Sequence, residues 1–441
     1  MSEKRVMLDD VSMTPFLVKV TLFSSGGPFL EGYVLGIIGV ALMQMVPELG
    51  INNHWSGMIG MAAIVGLFVG ALAGGWVTDL IGRRTMFVID VLTIAALSIA
   101  CIFIHSAVEV FLLRLAIGVA IGADYPIATS MIAEFTPRRY RAISMGFIAA
   151  IWYVGANVAY VVGYFMLDMN NGWRWMLASS AVPCVLILLG RLSIPESPRW
   201  LASKGREQEA QQIIHRIFGQ DVFLDSEVVE KTSLAKLFTK TYTKRVFFVG
   251  IIWLCQAIPM FAVYTYGPQI IETFGMGNGR QALIGEIVIG TFFLIGTIPA
   301  MFFAEHWGRR PLIVWCFLLM SISLAILGII PNPSMVVIVT CFAVYALLSG
   351  GPGNLEWLYP NELFPTSIRA SAMGVAMALS RIGTVVSVYV LPSFMEQHGT
   401  GKTMLAGAAI SLLGFIVSVA WAPETKGHTL AETGSEDFKG R

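Results

Sequence analysis

The chain has 441 residues, of which 56% are apolar and only 13% are charged, and its formal net charge is +1. About a quarter of the residues of a soluble domain are charged, so this composition excludes a soluble globular protein and predicts a membrane protein. The chain has no basic tract, and we therefore expect no nucleic-acid partner. All five cysteines lie inside apolar runs without metal-site spacing, so we predict neither disulfides nor a metal or other cofactor.

Apolar runs of about 20 residues, long enough to cross a bilayer, recur along the whole chain. We predict twelve spans, at 19–46, 55–79, 84–105, 109–133, 140–167, 173–192, 246–272, 281–304, 311–330, 334–360, 368–393 and 402–422. The prediction is an all-α membrane protein with two six-helix bundles, at 19–192 and 246–422. Cytoplasmic segments complete it: a tail at 1–18, a central loop at 193–245 and a tail at 423–441.

Lysine and arginine are distributed unevenly between the two sides of the predicted membrane. If the N-terminus is inside, the loops on that side hold most of these residues, whereas the other side holds Arg174, Arg280 and Lys402. Cytoplasmic loops carry an excess of Lys and Arg. We therefore predict a multi-pass protein of the cytoplasmic (inner) membrane, with both termini and the central loop in the cytoplasm.

One polar element occurs in both halves of the chain, as Asp79–Arg84 and as Glu305–Arg310, with Asp79 and Glu305 226 residues apart. Two more pairs are offset by 228 residues: Glu134–Ala142 with Glu362–Ala370, and Pro195–Ser197 with Pro423–Thr425. These matches indicate a duplicated half. Parallel repeats are one architecture of secondary transporters, in which the substrate binds near the midplane between the halves.

The repeated element, together with Pro195–Leu201 (PESPRWL) and Pro423–Gly427 (PETKG), resembles the major facilitator superfamily. The closest resemblance is to the sugar-porter-like branch of bacterial inner-membrane metabolite transport proteins, and it covers essentially the whole chain. It implies transport of a small solute by alternating access.

The chain departs from the true sugar porters at two places. They carry a Gln-Gln pair in the seventh span, where this chain has the single Gln256, and an acid directly after Gly-Tyr in the first span, where it has Val34. Glu31–Tyr33 and Arg114–Asp124 are more similar to aromatic-acid and nicotinate permeases and to the organic-ion branches.

Three ionisable residues lie near span centres, where burying a charge is costly and usually functional. They are Glu31 in the first span, Asp124 in the fourth and Arg381 in the eleventh. The guanidinium of Arg381 suits a carboxylate, so we predict that it binds a substrate anion. A structural pair with one of the two acids is the alternative.

We predict that Glu31 and Asp124 carry the coupling proton, because burial raises the affinity of a carboxyl group for its proton. Fixed, hydrogen-bonded acids are the alternative. Arg114 lies near the outer start of its span, and we interpret it as a side chain that reaches the membrane interface. Asp90 is expected to pair with basic cytoplasmic elements.

Polar and aromatic side chains complete the predicted substrate site. With Arg381 and Glu31, the predicted substrate-binding residues are Tyr33, Trp152, Asn157, Gln256, Tyr264, Asn354 and Trp357. Tyr264–Pro268 and Gly350–Gly353 are predicted to break their helices and line a cavity. Helix packing through small residues is the alternative.

The resemblance implies that the charged motifs latch a cytoplasmic gate. The predicted gating residues are Asp79, Arg83, Arg84, Glu134, Arg138, Glu196, Arg199, Glu305, Arg309, Arg310, Glu362, Arg369 and Glu424. Charge pairs that break on inward opening set a conformational equilibrium. The alternative is that these charges only set the orientation of the chain in the membrane. That interpretation explains the arginines but not the acids at matching positions.

The sequence therefore predicts a secondary active transporter of a small metabolite that works by alternating access, as a proton-coupled symporter of an organic acid. A sugar or polyol transporter, an exporter of drugs or metabolites, and a channel are alternatives. A membrane enzyme would need a nucleophile–base pair or a metal cluster at one membrane face, and the sequence shows neither. The expected partners are the substrate, the proton and the lipid bilayer, and we expect a monomer because each chain encloses its own site.

Overall fold

A computed structural model of the protein describes residues 6–7, 11–219, 221–223, 239–275, 279–428 and 430–438. Within these ranges the description excludes the side chains of 6–7, 75–76, 79, 125–126, 129–130, 133–134, 138–139, 141–143, 145–146, 203, 366–367, 370 and 430–431.

Helices follow one another through the first half of the chain. The first span combines Pro15–Ser24 and Gly26–Leu49, and the next four are Asn53–Ile81, Arg83–Ala100, Ala107–Phe135 and Arg138–Met166. The sixth span combines Gly172–Ala178 and Ala181–Arg191. Two short helices, Pro198–Ser203 and Glu207–Phe218, follow in the central loop.

The second half repeats this succession. Its helices are Lys240–Thr273, Arg280–His306, Arg309–Ile329, Met335–Leu363 and Thr366–Trp421, followed by the short tail helix Leu430–Thr433. The helix Thr366–Trp421 turns at Gly399, where φ is 79°, and therefore contains the eleventh and twelfth spans.

Ten helical stretches of the described residues are long and apolar enough to cross a membrane. One of them, Ser371–Trp421, contains two spans, and Ala107–Phe135, with 29 residues, is the remaining one. The described helices thus account for all twelve predicted spans, and the prediction of an all-α membrane protein is confirmed.

The repeated Gly-Arg-Arg element starts a helix in both halves. Gly82 and Gly308 have φ angles of 109° and 105°, and a helix begins at the next residue, Arg83 or Arg309. Side chains other than glycine rarely adopt this conformation. The same sequence element therefore makes the same sharp turn between the second and third spans and between the eighth and ninth.

Large apolar side chains remain exposed along many of the helices. On the sixth span, Val182, Val185, Leu186 and Leu189 are all at least half exposed and lie on one helix face. A bilayer provides the apolar surroundings that such a face requires.

Contacts divide the chain into two compact units. The first unit consists of Met1–Val34, Ala62–Ala159 and Asn171–Val228, and the second of Leu35–Met61, Tyr160–Asn170 and Val229–Arg441. The second unit thus contains the last six spans together with the later part of the first span and the adjoining parts of the second and fifth. The predicted division into bundles at 19–192 and 246–422 stays a prediction.

The terminal segments attach to their own units. In the first unit, Val6–Met7 pairs in parallel with Val222–Phe223 of the central loop. In the second unit, the buried Arg245 donates hydrogen bonds to backbone oxygens of the C-terminal tail. We use "distal" below for the ends of the spans that point away from these segments.

Candidate transport site

A cluster of three buried charged side chains lies in the first unit. The Arg191 guanidinium is 2.7 Å from Oδ1 of Asp124 and 3.3 Å from Oδ1 of Asp90, and all three side chains are almost fully inaccessible to solvent. The residues come from the sixth, fourth and third spans. We call Asp90, Asp124 and Arg191 the buried triad.

Backbone oxygens and an aromatic ring complete the surroundings of Arg191. Its guanidinium donates to the carbonyl oxygens of Phe23 and Phe87, at 3.1 and 3.0 Å, and lies 3.7 Å from the centre of the Phe87 ring. Asp124 packs against Gly27 of the first span so closely that a methyl group there would overlap its carboxylate. The triad therefore joins four spans of the first unit.

In the triad, Asp90 and Asp124 share a partner, Arg191, that was not predicted for either of them from the sequence. Asp90, expected to pair with basic cytoplasmic elements, pairs with Arg191 at the end of the sixth span, and this pair is buried in the interior of the unit. Asp124 has the same partner, which favours the fixed, hydrogen-bonded alternative for the state described here. The role of Asp124 in proton coupling stays a prediction.

Glu31 and Tyr33 are both buried in the first unit. The Tyr33 hydroxyl lies 2.6 Å from Oγ of Ser179, and its ring stacks on Phe29. Because that hydroxyl already has a partner within the unit, Tyr33 helps to hold the sixth span beside the first. The substrate-binding and proton-coupling roles of these two residues stay predictions.

The first and fifth spans approach each other closely beside Glu31. A methyl group on Gly32 would overlap the backbone oxygen of Trp152. Trp152 packs edge to face on Tyr153, and the Asn157 side chain donates to the Tyr153 carbonyl at 2.9 Å. The structure thus brings Trp152 and Asn157 to the part of the first span that carries Glu31.

Arg114 is buried, with 1% of its surface exposed, and its guanidinium donates to the Val34 carbonyl at 3.3 Å. The interpretation of Arg114 as a side chain that reaches the membrane interface was therefore wrong. The fourth span presents Arg114 to the first span, where a backbone oxygen accepts a hydrogen bond from its guanidinium. Sequence position alone could not show this neighbour.

In the second unit, predicted substrate residues of the seventh and tenth spans meet. Trp357 packs edge to face on Trp253, with ring centres 5.4 Å apart. The Gln256 amide donates to Oγ of Ser349 at 3.1 Å, and the Asn354 amide donates to the Thr297 carbonyl at 2.8 Å. The unit thus presents a tryptophan pair and two amides, each amide oriented by a hydrogen bond.

Arg381 lies beside groups that the sequence analysis did not connect with it. Its guanidinium is 5.1 Å from the centre of the Phe261 ring, and the buried carboxyl of Glu356 interacts with its charge. Glu356 lies within the predicted tenth span, next to Trp357, and its position in an apolar run was a signal that the analysis overlooked. The substrate-anion role of Arg381 stays a prediction.

The predicted helix breaks at Tyr264–Pro268 and Gly350–Gly353 are absent. The helices Lys240–Thr273 and Met335–Leu363 continue through both stretches, including Pro268. Gly350 instead lets its helix approach the backbone of Gly296, so helix packing is the correct reading there. Tyr264 is fully buried, and its predicted role in substrate binding remains a prediction.

The gating motif of the first half is centred on Glu196. Both of its carboxylate oxygens accept the backbone N–H of Arg84, at 3.1 and 3.2 Å, at the start of the third span. A carboxylate is stabilised at this positive end of a helix dipole. Arg83 and Arg199 are partly buried, and the side chains of Asp79, Glu134 and Arg138 lie outside the described residues.

The second half repeats this arrangement and adds an ion pair. The Glu424 carboxylate accepts the backbone N–H groups of Arg309 and Arg310, each at 3.1 Å. Arg309 also contacts Glu362 at 2.8 Å and Glu305 at 3.2 Å.

Arg369, the remaining predicted gating residue of this half, donates to the Phe364 carbonyl. The motifs thus form matching helix-start clusters in the two halves. Their role as a gate stays a prediction.

Twelve spans, a duplicated half and charged side chains buried among the helices are typical of a membrane transporter. Residues 19–436 match the model of the family "Sugar (and other) transporter", and the chain belongs to this family. It is 51% identical over 433 residues to the putative metabolite transport protein YaaU of Escherichia coli, covering 98% of both chains.

The chain is also 35% identical over 438 residues to the inner membrane metabolite transport protein YgcS of E. coli, covering 99% of this chain and 98% of YgcS. Among solved structures, the inward-open xylose transporter XylE of E. coli is similar, with a TM-score of 0.80, 22% identity, and coverage of 95% of this chain and 99% of XylE.

These similarities confirm the resemblance to the sugar-porter-like branch of the major facilitator superfamily and the twelve-helix fold of that superfamily. The protein is a multi-pass inner-membrane transporter and not an enzyme, as the sequence analysis predicted.

Proposed function

We propose that the protein is a proton-coupled symporter that carries a small, polar and uncharged metabolite of the sugar or polyol class by alternating access. The observation that carries the proton coupling is the buried triad, in which two carboxyl groups share one guanidinium. The observations that support the substrate class lie in the second unit.

The buried triad is electrically neutral only when one of its carboxyl groups holds a proton. With both acids ionised, Asp90 and Asp124 carry two negative charges against the single positive charge of Arg191. A net charge inside a membrane protein is costly, so these surroundings favour binding of one proton. A site that gains and loses a proton in this way is what coupling to a proton gradient requires.

Glu31 is the second acid that we assign to coupling. It is fully buried on the first span, which also packs Gly27 against Asp124 of the triad. Movement of the first span would therefore change the surroundings of both acids together. This common support favours coupling between the proton and the conformation of the first unit.

The charges of the second unit favour an uncharged substrate. Arg381 already has the buried carboxyl of Glu356 beside it, so an anionic substrate would have to compete with an acid of the protein for the guanidinium. Trp253 and Trp357 supply aromatic surface for the apolar face of a sugar ring, and the Gln256 and Asn354 amides suit hydroxyl groups. The structurally similar XylE is a proton:xylose symporter, which supports the same class.

Transport of an organic acid is the second candidate. Arg381 favours it, because the guanidinium is only partly buried and is attached to a span at membrane depth. A substrate carboxylate could replace Glu356 as its partner, since Arg binds carboxylates through two parallel hydrogen bonds.

Uptake into liposomes tests both the coupling and the substrate class. Purified protein is reconstituted, a pH gradient is imposed, and accumulation of radiolabelled sugars, polyols and organic acids is measured. We expect a sugar or polyol to accumulate with the wild type. Asp124→Asn should reduce the accumulation driven by the gradient at least about tenfold while retaining exchange of labelled substrate at equal pH, because a neutral amide cannot titrate.

Glu209→Gln is the matched control, because it removes an acid from the exposed central loop, where Glu209 pairs with Arg206. It should accumulate substrate as the wild type does. Undiminished gradient-driven accumulation in Asp124→Asn would contradict the coupling proposal. If only organic acids accumulate, and if Arg381→Ala abolishes this accumulation, the substrate is an organic acid and not a sugar or polyol.

A further inference from the structure

A fully buried carboxyl group lies outside the sites described so far. Glu286 is in the eighth span, near its distal start, and has no exposed surface. Its carboxyl packs against Gly267 of the seventh span so closely that a methyl group on Gly267 would overlap it. Gly267 lies in the stretch Tyr264–Pro268 that the sequence marks as unusual, but the sequence predicts neither its contact with Glu286 nor a role for this acid.

The Tyr160 hydroxyl faces Glu286 from the fifth span. That hydroxyl donates its proton to the Tyr264 carbonyl oxygen at 2.8 Å, and the two tyrosine rings are stacked, with centres 6.2 Å apart. A hydroxyl has one proton and two lone pairs. Towards Glu286, Tyr160 can therefore only accept a hydrogen bond, and the group that can donate it is a protonated carboxyl.

The remaining surroundings of Glu286 contain no group that would stabilise a charge. Apart from Tyr160, no side chain among the described residues hydrogen-bonds to either carboxyl oxygen, and no charged side chain faces them. Tyr160 is the titratable group that faces Glu286. Tyr264 and Tyr345 pack on Phe293, further along the eighth span. An ionised carboxylate in such a place lacks both donors and counter-charge.

Glu286 lies beside a row of contacts that closes the distal ends of the spans in the second unit. The Tyr266 hydroxyl donates to the Ser56 carbonyl, and the Gln269 amide donates to the Gly39 carbonyl, each at 3.0 Å. Together with the bond from Tyr160 to Tyr264, these contacts join the first, second and fifth spans to the seventh. We call these three hydrogen bonds the distal seam.

We propose that Glu286 is a proton-binding site that holds the distal seam closed when protonated and favours its opening to water when ionised. When the seam is closed, the carboxyl packs on Gly267 and donates to Tyr160. When water enters, the carboxylate is hydrated and the proton leaves to the distal solution. This site goes beyond the proposed function, because it needs neither the buried triad nor an identified substrate.

Hydrogen–deuterium exchange tests the proposal on the full chain in lipid nanodiscs, without substrate. The exchange of 53–61 and 264–275 is measured over a range of pH and corrected for the chemical rate. If the proton is bound only when the seam is closed, a higher pH favours the open seam. The ratio of closed to open protein then falls by up to about tenfold per pH unit. Wild-type protection should therefore decrease at higher pH. In Glu286→Gln the protection should stay, at every pH, at the level that the wild type shows at acidic pH.

His54→Gln is the matched control, because it removes a different ionisable side chain beside the seam, where His54 contacts the Tyr389 hydroxyl at 2.8 Å. This variant should keep the wild-type pH dependence. If Glu286→Gln keeps that dependence, or if His54→Gln removes it, the proposal is overturned.

Infrared difference spectroscopy provides a readout that does not require Glu286→Gln to fold. At acidic pH the wild type should show the C=O band of a buried protonated carboxyl, and Tyr160→Phe should shift this band because the acceptor is lost. A wild-type spectrum without this band, or a band that Tyr160→Phe leaves unchanged, overturns the proposal. Failure of the uptake experiment above leaves both readouts intact, so the two proposals fail separately.

Discussion

Arg191 is the residue on which the buried charges of the first unit depend. It contacts Asp90 and Asp124 and donates to two backbone oxygens, and its side chain is inaccessible to solvent. Arg191→Ala should leave two carboxyl groups and two carbonyls without their donor. Breaking a buried pair by removing one partner costs about 3–5 kcal/mol. We expect a loss of this size, measured as a lower midpoint of thermal unfolding in detergent.

Asp124→Asn tests whether the cost comes from charge imbalance. This variant leaves one acid, Asp90, for Arg191 and should therefore lose less stability than Arg191→Ala. Equal destabilisation by both substitutions would show that the unit needs both carboxylates of the triad, and that restoring a one-to-one charge balance does not limit the cost.

The sequence indicated the candidate acids better than their partners. Glu31 and Asp124 could be predicted because each interrupts an apolar run near the centre of a span. Arg191 was not recognised, because it lies at a span end where a cationic side chain normally reaches water. Glu356 was overlooked although it interrupts an apolar run in the same way, so that omission was avoidable. Partner choice depends on which helix faces meet, and span positions do not contain that information.

At the scale of helices, the close contact between the first and fifth spans depends on a glycine, Gly32, which has no side chain. A methyl group on Gly32 would overlap the Trp152 backbone oxygen, which cannot move without moving the helix. Overpacking of this kind costs about 1–3 kcal/mol, so Gly32→Ala should lower the unfolding midpoint.

Gly374→Ala is the matched control for Gly32→Ala. Gly374 is exposed within a helix, with no atom of another element within 4 Å of an added methyl group. It should be neutral or stabilising by up to about 1 kcal/mol, since alanine favours the helix. Similar losses from both substitutions would show that the close approach is unimportant.

Arg245 connects the seventh helix with the C-terminal tail. Its guanidinium donates to the carbonyl oxygens of Leu363, Thr433, Ser435 and Phe438, at 2.8–3.1 Å. Hydrogen bonds to charged groups contribute about 1.5–3 kcal/mol each, so Arg245→Ala should release the tail and lower stability by at least that amount. Limited proteolysis should then cleave the tail faster.

The control for the tail is Arg206→Ala. Arg206 and Glu209 form an exposed pair, each about half accessible, and such pairs contribute about 1 kcal/mol or less. It should leave both stability and tail cleavage nearly unchanged. A tail that resists proteolysis in Arg245→Ala would show that other contacts hold it.

The positions of the helices could be predicted from the sequence, because the length of each apolar run determines them. Whether a helix continues without a break could not be predicted. Pro268 suggested a break, yet the helix Lys240–Thr273 continues past it. Proline removes one backbone hydrogen bond, and neighbouring helices in a membrane can compensate for that loss. The start of helices at Arg83 and Arg309 could be predicted, because the preceding glycine makes the turn in both halves.

At the scale of the whole molecule, the termini can be assigned to one end of the spans before their side of the membrane is known. Val6–Met7 pairs with the central loop, and Arg245 holds the C-terminal tail beside the end of the tenth span. Twelve spans return the chain to its starting side. The remaining question is which side that is, and the distribution of Lys and Arg predicts the cytoplasm.

Labelling of single cysteines in intact cells tests this orientation. Lys402→Cys is at the distal end and Lys204→Cys is in the central loop, and both positions are exposed. The five native cysteines are free but buried, so a membrane-impermeant maleimide should leave them unmodified. We expect labelling of Lys402→Cys in intact cells, whereas Lys204→Cys should react only after the membrane is permeabilised. The reverse pattern would place the termini outside and would show that the charge distribution does not determine orientation in this protein.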